Sequence, residues 1–80
     1  MLTKEEFIAK VLAAASEERK AHPELRKGQA VFNEIDSNPE YHQVSRICQF
    51  DYGIDCFYDD SYVNLFLDKC YELYKGMEHD

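Results

Sequence analysis

Leu2-Thr3-Lys4-Glu5-Glu6-Phe7-Ile8-Ala9-Lys10-Val11-Leu12-Ala13-Ala14-Ala15 reads as the opening of a helix, and it decides the fold class. Thr3 and Glu6 have the Thr-x-x-Glu spacing of a capping box, in which each side chain accepts the other residue's backbone N–H. Leu2 before the cap and Phe7 four positions after it have the spacing of a hydrophobic staple. Phe7, Ile8, Val11, Leu12, Ala14 and Ala15 then fall on one helical stripe. The small Ala13–Ala15 run suits close helix packing. Lys4, Glu5, Lys10, Glu17, Glu18, Arg19 and Lys20 occupy the polar face. The helix is expected over about 3–21, because Pro23 biases His22 away from helical geometry.

Moving outward, Pro23 suits a first helical turn, and Leu25, Gly28, Val31, Phe32 and Ile35 continue at helical spacing. A second helix is expected over 23–36. Gly28 costs about 1 kcal/mol relative to Ala inside a helix. Its presence implies either close approach by another helix, the favoured reading, or a later helix start. Asp36-Ser37-Asn38-Pro39 is a stop signal. A third helix over 39–49 is expected, with Asn38 as cap and Pro39 as first residue. Tyr41, Val44, Ile47 and Cys48 form its inner face, and it frays around Phe50. Gly53 breaks the chain. A last helix over 60–75 has Asp59 or Asp60 as cap at the positive end of its dipole. Val63, Phe66, Leu67, Cys70, Leu73, Tyr74 and Met77 recur at three- and four-residue steps, and Gly76 is its expected end. No segment alternates long enough to require a strand. The fold expected is an all-α bundle of three to four helices, with an acidic, aromatic loop at 50–59 folded against it.

Eighty residues imply one domain spanning 1–80. A chain of this size buries roughly 60–65% of its unfolded surface, which sets its stability at no more than about 5 kcal/mol. Aromatic residues make up 14% of the chain, which argues against disorder. The formal net charge is −7 and is uneven: residues 1–40 carry six basic and eight acidic side chains, and residues 41–80 carry three and eight. Phosphate binding needs clustered Lys and Arg. Direct nucleic-acid binding and anionic membrane surfaces are therefore disfavoured. Arg19, Lys20, Arg26 and Lys27 do gather at the first helix junction, but Glu17, Glu18 and Glu24 interleave with them. The longest apolar run, Val11 to Ala15, is far short of a membrane span. The N-terminus has acids ahead of any apolar stretch and is no signal peptide. A cytoplasmic location is expected.

Cys48, Cys56 and Cys70 lack Cys-x-x-Cys spacing and are odd in number, so buried reduced thiols are expected. Zinc on these three with His42 lacks the usual close ligand pairs. His42 and Cys48, six apart, point to different helical faces, which leaves no nucleophile–base pair. Asp51, Asp55 and Asp59 stand four apart. That spacing is wrong for an EF-hand loop, which needs acids two apart and a glutamate at its twelfth position. If the segment were helical, the three acids would form one ridge. No phosphate loop or nucleophile elbow is present. No enzyme activity, cofactor or resident metal is expected.

Arg26-Lys27-Gly28-Gln29-Ala30-Val31-Phe32-Asn33 and the later Asp55-Cys56-Phe57-Tyr58-Asp59-Asp60 together resemble segments of small uncharacterised bacterial and phage proteins. The resemblance spans residues 25–67 and includes the Phe66-Leu67 pair. Cys56 departs from the Pro often found between Asp and Phe. The resemblance implies a mobile-element or prophage origin and transfers no site residue.

Tyr52, Tyr58, Tyr62 and Tyr71 exceed what so small a core can hold, and tyrosine is enriched at binding surfaces. The function expected is a small protein–protein interaction module. Its binding face would be the 51–62 stretch with the outer side of the last helix. Asp51, Asp55, Asp59 and Asp60 would supply charge, and Tyr58 and Tyr62 the stacking anchors, for a protein partner with a basic surface. Homodimerisation would add burial. The alternative is an acidic inhibitor that imitates nucleic acid and occupies a DNA-binding or host-defence protein. The nine interleaved basic residues weigh against it. A small metal-binding domain ranks third.

Overall fold

Four α-helices and two short irregular turns enclose a single hydrophobic cluster in the computed structural model, which describes residues 1–78. Helix α1 spans Lys4–Ala21, α2 Lys27–Asp36, α3 Gln43–Arg46 and α4 Val63–Glu78. A π-helical turn, Ile47–Asp51, continues α3, and a 3-10 turn, Asp60–Tyr62, leads into α4. There is no strand among the described residues.

The α1 start forms as its sequence implies. Thr3 Oγ1 accepts the Glu6 N–H at 3.1 Å, and Glu6 Oε1 accepts the Thr3 N–H at 2.9 Å. Those bonds to Thr3 hold the Glu6 carboxyl below its ordinary range. The helix stops at Ala21, with the His22 N–H donating to the Glu18 carbonyl oxygen at 2.8 Å.

Helix α2 starts four residues later than Pro23 suggests. Residues 22–25 form a turn, closed by the Leu25 N–H on the His22 carbonyl oxygen at 3.1 Å. Arg26 is extended at the N-cap, and Gln29 Oε1 takes its N–H at 3.0 Å. The Gly28 N–H, another donor of that first turn, is satisfied by Asp60 Oδ1 at 3.0 Å. The acceptor is 32 residues away in sequence. Tertiary structure therefore places this helix start.

Helix α3 is also shorter than its pattern. Asn38 does not cap a helix at Pro39; its Oδ1 accepts the Glu40 N–H at 2.8 Å in a local turn. Ser45 and Arg46 are instead drawn to Asp36. Ser45 donates to Asp36 Oδ1 at 2.6 Å, and Arg46 forks across both carboxylate oxygens at 3.1 and 3.4 Å. The chain then widens into the π turn. Gly53 ends the segment at φ +67°, a left-handed conformation that favours glycine.

Helix α4 passes through Gly76 rather than ending there. Tyr74 just before it is buried and donates to Glu40 Oε1 at 2.8 Å, which ties that turn to the body. The centre of the molecule is aromatic. Phe7, Tyr41 and Tyr74 meet pairwise with ring centroids 5.1–5.7 Å apart. Phe32 and Phe66 meet at 5.6 Å. Offset and edge-to-face pairs of this kind add about 0.5–1.5 kcal/mol each beyond burial. Tyr71 is half-buried, and its hydroxyl donates to the Leu2 carbonyl oxygen at 2.9 Å.

Among the described residues, no helix is long and apolar enough to cross a membrane.

Candidate functional site

The segment after the π turn docks on the start of α2 through polar bonds. Asp55 is half-buried; its Oδ2 accepts from Gln49 Nε2 at 3.0 Å and its Oδ1 from the Phe57 N–H at 2.9 Å. Cys56 Sγ donates to the Gly28 carbonyl oxygen at 3.3 Å. Arg26 Nη2 donates to the Phe57 carbonyl oxygen, and Arg26 Nε reaches Asp60 Oδ1 at 3.4 Å. Phe57 packs edge-on against Phe32, centroids 5.5 Å apart. Gly28 makes this docking feasible: a Cβ there would collide with the Cys56 carbonyl oxygen and lie 2.7 Å from Asp60 Oδ1. Close packing at Gly28 is thus observed, but a loop backbone fills the space, not another helix. The two motif halves quoted from the sequence, around Arg26–Gly28 and Asp55–Asp60, meet here.

Most of the aspartates singled out in the sequence are committed to this framework. Asp59 caps the 3-10 turn, accepting the Ser61 N–H at 2.9 Å and its hydroxyl at 2.7 Å, and these bonds hold its carboxyl below the usual carboxylate pKa range. Asp60, expected at the head of the last helix, caps α2 instead. The acids at 51, 55 and 59 form no ridge, because the segment from 52 to 59 is not helical. Only Asp51 of this set is exposed with no side-chain bond among the described residues.

The exposed aromatics gather elsewhere. Phe50, in the π turn, is 71% exposed and Tyr58 is 76% exposed. Both line one groove of about 270 Å³ with Phe32 and Phe57. Asn33, Asp36, Arg46 and Gln49 complete the lining. Tyr58 meets the edge of Phe57 at 5.0 Å. The Asp36–Arg46 pair leaves this edge of the groove electrically balanced. Burial pushes the Asp36 carboxyl up, but the bonds from Arg46 and Ser45 outweigh it and hold it below its ordinary range. Tyr62, expected as a second anchor, is 39% exposed and does not line this groove. Tyr52 is exposed, and Lys69 Nζ already sits 4.4 Å from its ring centroid. Phe50 was not singled out by the helical pattern as a binding residue. It does lie off the Tyr41–Val44–Ile47–Cys48 stripe, and a large apolar residue off the stripe is a usable signal for a surface anchor.

The three cysteines are free and buried. Burial pushes the Cys56 thiol up to about 12. A hydrogen bond from Cys70 lowers Cys48, while that bond and burial raise Cys70. His42 is exposed. No three His, Cys, Asp or Glu side chains are grouped to hold a metal among the described residues.

No protein-family model matches the chain, and neither a curated protein nor a solved structure matches it significantly.

Proposed function

We propose that the protein is a small interaction module whose binding face is the groove between α2, the π turn and the Phe57–Tyr58 segment. One observation carries this reading: two of its most exposed large aromatic side chains, Phe50 and Tyr58, flank the same aromatic-floored groove. Exposing them costs hydrophobic free energy that burial against a partner would recover. Aromatic anchors around a concave centre are the usual form of binding hot spots. The π turn that carries Phe50 is a feature frequent at functional sites.

The partner is a protein that offers an apolar side chain to the groove and a basic residue to Asp51. The acids at 55, 59 and 60 serve capping and turn bonds, which weakens the nucleic-acid mimic as a rival. A mimic needs its carboxylates free and aligned, and its binding collapses at high salt.

The test is capture from host lysate at about 50 and about 500 mM salt, which spans weak and strong screening. Wild-type chain is compared with the Phe50→Ser/Tyr58→Ser variant. A protein retained at both salts by wild type and lost by the variant supports the reading. Retention by the variant would sink it, and capture of nucleic-acid enzymes at low salt alone would favour the mimic.

A further inference from the structure

A second groove, between α1 and α2, has a different chemistry. Leu12, Ala15 and Val31 line it, together with Ser16, Arg19 and Lys27, and its volume is about 310 Å³. That is the low end of small-molecule sites. Ala15 and Val31 are buried and Leu12 half-buried, so the floor is aliphatic.

The two cations are conspicuous in so acidic a chain, where 16 acids face nine bases. Lys4, Lys20, Arg26, Arg46 and Lys69 each form an ion pair. Lys10, Arg19, Lys27 and Lys75 form none among the described residues, and of these four only Arg19 and Lys27 line this groove. Arg19 spends its Nε on the Leu25 carbonyl oxygen at 3.2 Å. That bond orients the guanidinium and leaves its terminal nitrogens uncommitted. Two unpaired cations beside an aliphatic floor select an occupant with an anionic head and an apolar body. A guanidinium fork matches a carboxylate in shape and charge. A partner helix would use anchors at i, i+3, i+4 and i+7. Three floor side chains are too few for that, which favours a small molecule.

We propose that the α1–α2 groove binds a medium-chain aliphatic carboxylate. Its head rests on Arg19 and Lys27, and its tail lies over Leu12, Ala15 and Val31. The site is separate from the aromatic groove and does not depend on it.

The experiment is a titration of the isotope-labelled full chain with decanoate, below its micelle concentration, followed by amide NMR shifts. The expected result is saturable shifts at Leu12, Ser16 and Lys27. Arg19→Gln and Lys27→Gln should each weaken binding about three- to tenfold. Lys10→Gln, the same charge change on an exposed side chain outside the groove, should leave it unchanged. Decanol should bind more weakly than decanoate. If Arg19→Gln disturbs the 22–25 turn, Lys27→Gln decides alone. Absent shifts, shifts centred on Phe50 and Tyr58, equal weakening by Lys10→Gln, or decanol binding as well as decanoate would each overturn the proposal.

Discussion

Residues 47–52 and 54–60 belong to one connection between α3 and α4 and use their side chains in opposite ways. The first part is helical as far as Asp51, yet Phe50, Asp51 and the following Tyr52 are all exposed. The second is irregular, yet Asp55, Cys56, Asp59 and Asp60 all bond to defined partners, three of them through contacts that pin the segment or the α2 start in place. Regular backbone is thus no guide to which part serves the fold. Polar satisfaction and exposure are better guides. The acid-rich stretch, which the sequence offers as a charged surface, is largely a set of caps. The large side chains left exposed beside it are aromatic, Phe50, Tyr52 and Tyr58.

The largest expected effect breaks the docked half. Gly28→Ala places a methyl group against the Cys56 carbonyl oxygen, a backbone atom that cannot swing aside. Overpacking costs about 1–3 kcal/mol, and a clash with backbone belongs at the upper end, above the roughly 1 kcal/mol of propensity gained on replacing a helical glycine. In a domain of this size the melting temperature should fall by about 5–15 °C. An unchanged melt would mean the segment is not docked as described. Asp60→Ala comes next, removing the Gly28 acceptor and the Arg26 pair. Loss of a partly exposed cap costs about 1 kcal/mol. Asp60→Asn keeps an acceptor and should cost about half as much, since an exposed ion pair contributes little. Equal losses for the two variants would shift the weight from the cap to the charge.

Two carboxylates on α2 sharpen the comparison by titrating in opposite senses. Burial, then the charge of Glu18, raises Glu34, whose Oε2 is buried without a hydrogen-bond partner among the described residues. Its raised folded value means that ionisation costs stability as pH climbs from about the ordinary glutamate value. Glu34→Gln should therefore stabilise the protein near neutral pH, by a few tenths to about 1 kcal/mol after discounting for the solvated part of the side chain. Asp36 is depressed instead, so its contribution is present above the ordinary aspartate value and fades as pH falls through its folded value. Melts of the Glu34→Gln and Asp36→Asn variants across pH 2–8 should show the first gaining at the neutral end and the second losing there. Gains or losses of the same sign would contradict the assignment.

Much of the helical fold was legible because its signals are local. The capping box at Thr3 and Glu6, the α1 stop at Ala21 and the positive-φ Gly53 need only neighbouring residues to explain them. The α2 start was not, since the Asp60 acceptor for the Gly28 N–H arrives from 32 positions downstream. The short α3 followed from Asp36 gathering Ser45 and Arg46, another contact that no periodicity announces. Gly76 misled because a glycine costs only about 1 kcal/mol in a helix, and the buried, bonded Tyr74 outweighs that. At the site, Tyr58 was legible as an exposed tyrosine. Phe50 was hidden by a π turn, which shifts helical phase without a sequence signature. The bonds made by Asp55, Asp59 and Asp60 were not legible, because a capping carboxylate and a solvated one look alike until their partners are known.

The most direct test is a side-by-side thermal melt of Asp60→Ala and Phe50→Ser/Tyr58→Ser. Asp60→Ala should lower the melting temperature by several degrees, and the aromatic pair should change stability by no more than about 0.5 kcal/mol, as for surface positions that hold nothing together. A stable Asp60→Ala protein beside an unfolded aromatic variant would contradict this, since the acid would then be surface and the aromatics core.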